Sequence, residues 1–417
     1  MPATAAADEF SGADTAFIMI CAALVMLMTP AGLALFYGGL TQRKSVLNTV
    51  GMSYVAFCAA ILAWMVIGYS IAFGGSENPL SGGLEHVMLA SIGVDDLSGT
   101  IPTTIFVLFQ GCFAAIAVAI VSGSIIERLR FSTWLLFVVL WVTLCYAPIA
   151  HWIWGGGLFD SHNELDFAGG TVVHISSGVS GLVLALLLGR RRVEPDKAYQ
   201  PYSIKFTLLG SALLWFGWFG FNAGSALAAD KIAANAMLVT AIAAAAGGLA
   251  WLFCDWVNSR QSHLFGAASG VVSGLVGITP AAGFVGADGA LIIGVLSGLS
   301  GFFAVTWMKK KFGYDDALDA FGIHGAVGIV GSLLTGMLAN PAISGEAGLF
   351  YGEPGRMVAQ SLAVVTTVAY SAAMTAAIYF ALKMVMGSGR ISDDHESEGL
   401  DSIYHGEQEG PSARTND

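Results

Sequence analysis

The stretch DFAGGTVVHISSGVSGL, Asp166–Leu182, places an aspartate at the head of an apolar run and a histidine inside it. Nothing else in the run can carry charge. An ionisable ring in a segment that otherwise suits a membrane interior is costly, so it is a functional candidate from the outset. A second stretch, DALDAFGIHGAVGIVG at Asp316–Gly331, repeats the pattern. Asp316 precedes His324 by eight positions, as Asp166 precedes His174. Gly328 and Gly331 follow His324 at four and seven, as Gly178 and Gly181 follow His174. Glycine is common in this chain, but aspartate and histidine are rare. Coincidence within Gly-rich helices therefore explains four matched positions poorly.

The surroundings of these stretches decide the class. Of 417 residues, 55% are hydrophobic and only 11% charged, against about 25% charged in ordinary soluble domains. That is too little charge to cover a soluble surface. Glycine reaches 53 residues, which suits close approach of helices in lipid. Runs free of Asp, Glu, Lys and Arg number eleven: Thr15–Gln42, Ser45–Ser76, Leu97–Ile126, Phe131–Phe159, Phe167–Gly189, Phe206–Ala229, Ile232–Cys254, Gln261–Ala287, Gly289–Met308, Ala320–Gly345 and Met357–Leu382. Each is near or above the roughly 20 residues that cross a bilayer as a helix. None alternates as a barrel strand would. The fold class is thus an all-α polytopic membrane protein with eleven transmembrane helices.

Basic residues orient the chain. No Lys or Arg precedes Arg43, while Asp8, Glu9 and Asp14 are acidic. An outside N-terminus and eleven crossings put the C-terminus in the cytoplasm. Of 18 basic residues, only Lys231 and Arg356 then fall outside. The N-terminus lacks a basic region ahead of its apolar run, so no cleavable signal peptide is expected. The five cysteines, Cys21, Cys58, Cys112, Cys145 and Cys254, sit in apolar runs without metal spacing and read as small packing residues. The net charge of −11 speaks against a nucleic-acid partner.

The two motifs open the fifth and the tenth runs. Five crossings per repeat is odd, so the halves are inverted relative to each other. Asp166 then lies at the outer face and Asp316 at the inner face, and both histidines point toward mid-bilayer. Inverted repeats are a transporter signature, with the substrate site near the midplane between halves. The expected organisation is residues 1–14 outside, 15–386 as the membrane domain, and 387–417 as a cytoplasmic tail. Within the membrane domain the repeats cover about 15–189 and 204–340, followed by an eleventh helix at about 357–386.

Burial disfavours the charged form of both rings. Two neutral imidazoles can share one hydrogen bond, one nitrogen donating and one accepting. Such a pair suits a small polar passenger that can do both. A lone histidine would more simply bond a nearby carbonyl; two in matched positions favour function. Asp166 suits an N-cap of the fifth helix and can also set a field that favours cations. Asp316 reads chiefly as a cap.

Aromatic residues come next. HWIWGGGLFD at His151–Asp160 carries Trp152 and Trp154 at an outer boundary, where tryptophan is ordinarily an anchor. LLWFGWFGFNAGSA at Leu213–Ala226 carries Trp218, Phe219, Phe221 and Ser225, and FVLFQGCF at Phe106–Phe113 carries Phe109 and Phe113. These rings read as lipid-facing or packing residues by default. A cation held over Trp or Phe would gain about 0.5–2 kcal/mol per ring.

With these residues on the page, the chain resembles the ammonium transporter family, the Amt/Mep/Rh superfamily, on its prokaryotic Amt branch. The matching stretches are ALFYGGL, FQGCFA, ERLRF, PIAHWIWGGG, DFAGGTVVHISSG, WFGFNAGSA, GLVGITPAAGFVG, GALIIGV, DAFGIHGAVGIVG and, in the tail, EGLDSIYHGE. The resemblance runs from about Asp14 to Glu407. It implies eleven helices in a five-plus-five inverted repeat, a homotrimer with one pore per subunit, no cofactor and no enzymatic reaction. It implies a recruitment site of Trp154, Ser225 and Phe113, supported by Asp166, with Phe109 and Trp218 at an outer vestibule. It implies a stacked gate of Phe113 and Phe221 and a twin-His pore of His174 and His324. It implies a tail, with Gly399, Leu400, Asp401, His405 and Gly406, that meets a cytosolic signalling protein of the PII class.

The function expected is ammonium uptake across the cell membrane. The ion is recruited and deprotonated, ammonia crosses along the histidines, and the proton moves separately, so that charge is carried. Three rivals differ in observable ways. A neutral-gas channel of the Rh type would carry no current. A metalloenzyme would need three or four zinc ligands, and no HExxH is present. An ammonium sensor would ordinarily carry an added signalling domain, for which the tail is short. The Asp393–Glu398 stretch of the tail reads as solvated, whereas Leu400, Ile403 and Tyr404 could dock under the cytoplasmic loops.

Overall fold

The structure is a computed structural model that describes residues 9–76, 78–159, 164–192 and 200–407. Asp8, Asp160 and the tail beyond Glu407 lie outside the described residues. The chain forms helices α1 (Gly12–Leu40), α2 (Arg43–Phe73), α3 (Thr103–Ser122), α4 (Phe131–Trp154), α5 (Gly170–Leu188) and α6 (Ile204–Gly224). They are followed by α7 (Lys231–Ser259), α8 (Leu264–Ile278), α9 (Ala287–Phe312), α10 (Phe321–Leu338) and α11 (Gly355–Met386). Among the described residues ten of these are long and apolar enough to cross a membrane, α8 being the short one. Every apolar run of the sequence thus contains a helix.

Boundaries differ where polar backbone interrupts an apolar run. The run Leu97–Ile126 begins in a two-stranded hairpin, Leu97–Ser98 with Ile101–Pro102, before α3 starts. The run Gln261–Ala287 yields a helix of 15 residues, about 22 Å long. It then turns back through Thr279–Gly286 toward α9. The run Ala320–Gly345 breaks after Leu338, and Asn340 caps a separate short turn at Pro341–Ser344.

Helix starts follow capping chemistry. Ser11, Ser203 and Asp230 each accept a backbone N–H from the first turn of α1, α6 and α7. Buried hydroxyls bond back to the carbonyl one turn earlier, as Thr240 does to Ala236 and Thr335 to Gly331. The apolar surface faces outward: Leu249, Phe253, Val358 and Met384 are all exposed. That is the pattern of a multi-pass membrane protein, whose solvent on this surface is lipid.

The two halves are joined reciprocally. Beyond α8, the Pro280 carbonyl accepts from Phe167 N–H of the first half at 3.1 Å. Beyond α3, the Gly123 and Ser124 carbonyls accept from Leu318 and Ala317 N–H of the second half at 2.8 and 3.3 Å. Helices α3 and α8 are counterparts under the five-plus-five repeat, so each Asp-bearing loop docks on the matched helix of the other half. Gly178 and Gly328 make the close approach possible. A Cβ at Gly178 would overlap Gly325 and the His324 carbonyl carbon, and one at Gly328 would press on His174 and Ile175. Two pairs of π-helical turns are matched as well, although those at Met28–Leu33 in α1 and Trp64–Gly68 in α2 have no counterpart in α6 and α7. One pair is Val142–Tyr146 in α4 with Ala304–Met308 in α9. The same holds at Gly170–Ile175 in α5 and Phe321–Ala326 in α10.

Candidate functional site

Asp166 precedes α5 and is almost wholly buried. Its Oδ1 accepts from Gly169 and Gly170 N–H at 2.8 and 2.6 Å, and its Oδ2 from Thr171 and Val172 N–H at 2.8 and 3.1 Å. One carboxylate thus satisfies the four N–H groups that a helix start leaves without intrahelical partners. Burial raises the Asp166 carboxyl above its ordinary range, while these four N–H groups pull it down. Asp316 caps α10 in the same register, accepting from Ala320 and Phe321 N–H at 3.2 and 2.8 Å.

These caps set the histidines. His174 and His324 lie in the π-helical first turns of α5 and α10, both buried. Their Nδ1 atoms stand 3.2 Å apart, one ring from each half. Two neutral rings satisfy that contact only if one donates and the other accepts. The pair is then of opposite tautomers, with one Nε2 carrying a hydrogen and the other a lone pair. Nε2 of His174 is buried without a hydrogen-bond partner. Trp218 of α6 stacks on His174 with centroids 5.4 Å apart, and its indole N–H donates to Thr279 Oγ1 at 2.9 Å.

A column of rings continues from His174. Phe221 of α6 lies 6.0 Å from it, and Phe113 of α3 stacks on Phe221 at 4.1 Å and 17°. Trp154 stands edge-on to Phe113 at 6.2 Å. Its indole N–H donates to the Asp166 carbonyl at 2.8 Å, which ties the ring to the capping loop. Trp154 is therefore part of the site rather than a surface anchor, and Phe113 and Phe221 are buried rather than lipid-facing.

Above the stacked pair lies a pocket of about 210 Å³ lined by Phe73, Phe106, Gln110, Phe113, Trp154, Phe167, Ser225 and Leu227. The Ser225 hydroxyl donates to the Phe221 carbonyl at 2.9 Å. Its only hydrogen is spent, so its oxygen faces other groups solely as an acceptor. Gln110 Oε1 is buried without a hydrogen-bond partner. The pocket thus offers the Ser225 acceptor and ring faces, which is a cation's environment. Asp166 stands behind the pocket wall, and neither Phe109 nor Trp218 lines the pocket. Phe109 lies edge-on against Phe113 at 4.9 Å, and Trp218 belongs to the histidine level. Gln110 and Phe106 escaped the sequence reading, although Phe106, Gln110 and Phe113 share a helix face at i, i+4 and i+7. Among the described residues no group of three or more His, Cys, Asp or Glu could hold a metal ion.

Comparison with known proteins fits this geometry to a family. The model of the Ammonium Transporter Family matches residues 16–410. The chain belongs to the ammonium transporter family. It is 47% identical to an ammonium transporter of Aquifex aeolicus over 397 residues, covering 95% of this chain and 92% of that one. It is 46% identical to an ammonium transporter of Bacillus subtilis, covering 95% and 98%. Among solved structures, the crystal structure of Saccharomyces cerevisiae Mep2 aligns with a TM-score of 0.86 at 33% identity, covering 93% of this chain and 89% of that one. A structure described as a sensor Amt protein aligns with a TM-score of 0.87 at 25% identity, covering 94% and 98%. The relatives are membrane transport proteins, not enzymes.

The opposite end of this ammonium transporter family member is built from charge. Arg128, fully buried, donates to Asp315 and to the Ser124 carbonyl, each at 2.6 Å. Arg191 bridges Asp315 at 2.9 Å and Glu127 at 3.0 Å. Burial pushes the Asp315 carboxyl up, but Arg191 and Arg128 together hold it well below the usual carboxylate range. Lys309 Nζ donates to Asp319 and to the Asp316 carbonyl, each at 2.6 Å. Burial, only partly offset by Lys309 and reinforced by the Asp316 charge, lifts Asp319 to about 6.

The tail docks on this face. Asp401 accepts from Leu47 N–H at 3.0 Å and Asn48 N–H at 2.8 Å, capping α2 from a distant segment. Leu400 is buried and its N–H donates to Ser45 Oγ at 3.2 Å. Gly399 has φ 104°, and a Cβ there would press on Lys44. His405 meets Asn48 at 3.0 Å and stands edge-on to Phe131 at 5.0 Å. Gly406 closes the turn at φ 64°. The Asp393–Glu398 stretch is a short helix that is exposed, as expected, except at Glu396, which is buried. Glu396 pairs with Arg390 at 2.6 Å and accepts from the Arg192 N–H. Charge alone could not single out Glu396, because its partners are not its neighbours along the helix.

Proposed function

We propose that the protein carries ammonium across the cell membrane from the aromatic side to the basic side, with the aromatic side outside. Ammonium is recruited in the pocket between Trp154 and Phe113. Ser225 Oγ accepts one of its N–H bonds, Gln110 Oε1 accepts another, and the ring faces stabilise the charge. The Asp166 carboxylate adds its field from behind the wall. An unpaired ion entering an apolar passage would cost tens of kcal/mol by Born estimates. Loss of the proton near the stacked Phe113–Phe221 pair removes that cost. Ammonia then passes His174 and His324, where one donor and one acceptor meet its own hydrogen-bonding capacity. The proton moves separately, through the imidazole pair or water beside it, and net charge crosses.

The observation that carries this reading is the Nδ1–Nδ1 contact of 3.2 Å between His174 and His324 beneath the stacked phenylalanines. Homotrimeric assembly, with one passage per subunit, belongs to the same reading. So does control by a PII-type partner at the docked tail, with Gly399, Leu400, Asp401, His405 and Gly406 in the contact.

Currents from purified protein in liposomes on a solid support test this directly. Ammonium elicits a current in wild type and potassium does not. His174→Ala and His324→Ala admit larger or hydrated ions, so potassium currents rise. Wild-type selectivity and current in both variants would remove the relay role. Ammonium flux without current would favour an electroneutral channel.

A further inference from the structure

Ser11 and Asp14 at the start of α1 have the spacing of a capping box, in which the acid reaches back to the backbone N–H of the cap residue. Half of that box is present: Ser11 Oγ accepts from Asp14 N–H at 3.2 Å. The other half is replaced. Ser11 N–H donates to the Thr100 carbonyl at 2.8 Å. The Asp14 carboxylate is thereby released from its own helix, and both of its oxygens are used elsewhere. Oδ2 accepts from the Thr100 hydroxyl at 2.6 Å, and Oδ1 accepts from the Ala229 N–H at 2.8 Å.

Both partners belong to segments that line the pocket. Thr100 sits in the turn of the Leu97–Pro102 hairpin, three residues ahead of Thr103, the first residue of α3. Helix α3 then brings Phe106, Gln110 and Phe113 to the pocket. Ala229 sits in the turn between α6 and α7, which brings Ser225 and Leu227. Leu227 has φ 57°, a backbone state that residues with a side chain seldom adopt. Such a state persists only where the surroundings impose it. The near side of this turn is held by the Leu227 N–H, which donates to the Gly224 carbonyl at 2.9 Å. Asp14 takes the far side two residues later, just before Asp230 caps α7.

We propose that Asp14 is a positioning residue for the recruitment pocket: its carboxylate latches the turn that presents Ser225 and Leu227 to the hairpin that leads into α3. Asp14 does not itself line the pocket, so it acts through these two segments. The inference rests on the recruitment reading for its effect on transport, but not for the latch itself.

Two substitutions separate a latch from a charge acting at a distance. A carboxylate only accepts, whereas a carboxamide has one accepting oxygen and an NH₂ donor, and a threonine hydroxyl can do either. Asp14→Asn therefore keeps both links without the charge, with Oδ1 accepting from Ala229 and Nδ2 donating to Thr100 Oγ1. Asp14→Ala keeps neither.

Two measurements on full-length reconstituted protein test the proposal. The first is hydrogen exchange, without ammonium, in peptides containing Leu227 and Ala229. Exchange there rises in Asp14→Ala and returns toward wild type in Asp14→Asn, while peptides spanning Gly170–Ile175 do not change. The second is the half-saturating ammonium concentration from currents. In Asp14→Ala it rises about three- to tenfold, the range that one hydrogen bond controls, with far less change in maximal current. Asp14→Asn brings it back toward wild type.

Exchange at Leu227 and Ala229 that is unaffected by Asp14→Ala overturns the latch. A half-saturating concentration that rises equally in Asp14→Ala and Asp14→Asn overturns it too, since the effect would then belong to the charge. A concentration unmoved by Asp14→Ala but raised by Trp154→Ala overturns the action on the pocket. If Trp154→Ala leaves it unchanged, the recruitment reading fails by itself, and the exchange result still decides the latch.

Discussion

At the aromatic mouth Asp166 spends its whole carboxylate on four backbone N–H groups and faces a pocket of rings and acceptors. At the basic mouth Asp316 accepts two, and its neighbours Asp315 and Asp319 are held by Arg128, Arg191 and Lys309. The two loops begin from one motif, with the same distance from Asp to His and the same capping register. Their interiors stay matched because both must deliver a histidine to the same contact. Their exteriors diverge because one faces the pocket and the other is tied by Arg128, Arg191 and Lys309 into a charged network. Where the halves agree, the interface between them dictates the residues. Where they differ, each mouth has its own task.

The sharpest way to break the comparison is to remove each cap. Asp166→Ala orphans four buried N–H groups, each costing about 1–3 kcal/mol. Several kcal/mol is a large share of a membrane domain's margin, so neither a sharp thermal transition in detergent nor ammonium current is expected. Asp316→Ala orphans two and should fold with a lowered midpoint. Equal losses in the two variants would mean that the mouths bear equal structural weight.

The second test separates the charged mouth from the aromatic one. Asp315→Ala leaves Arg128 buried without its carboxylate, a loss of about 3–5 kcal/mol for a broken buried pair. The pH dependence has a defined sign. Asp315 is held below the unfolded value of about 3.9. Its contribution is fully present above about pH 4 and is lost as pH falls below that. Asp319 is lifted to about 6, so the folded state binds its proton more tightly than the unfolded one. Its contribution is present below about pH 4 and is lost as pH rises to about 6. Thermal midpoints of wild type should therefore peak at about pH 4, falling below it and again between about pH 4 and 6. Asp315→Asn removes the acid limb and Asp319→Asn the other. An unchanged acid limb in Asp315→Asn would show that the clamp does not control it.

Much of this was legible in the sequence, and the reason is periodicity. His174 and His324 stood out because aspartate, histidine and glycine recur at fixed offsets, and inversion followed from an odd number of crossings. Phe113, Phe221 and Ser225 could be named through family resemblance, but residue types alone gave the two rings lipid-facing or packing roles. Gln110 went unnoticed because a single amide between Phe106 and Phe113 on an apolar helix face reads as packing; its place in the pocket lining appears only in the fold. The shortness of α8 was hidden because Thr279–Gly286 is as free of charge as the helix before it. Glu396, the one buried residue of an otherwise exposed stretch, was not singled out because its partners, Arg390 and the Arg192 backbone, converge only after folding.

The smallest expected effect concerns the tail, where the basic mouth has a feature that the aromatic mouth lacks. Asp401 caps α2 although 353 residues separate it from Asn48. A helix cap is worth about 1 kcal/mol, so Asp401→Ala should lower the thermal midpoint by no more than a few degrees. Its local effect should be larger, because Leu400 and the contact of His405 with Asn48 depend on the same turn. Hydrogen exchange is expected to rise in peptides spanning Ile391–His405 and in the first turn of α2, and to stay unchanged around Asp166 and Trp154. Ammonium current should persist, since neither the pocket nor the His174–His324 contact is touched. Exchange that rose equally at both mouths would mean that the tail braces the whole bundle. Exchange confined to the basic mouth leaves the tail as a detachable element, which is what a partner-controlled switch requires.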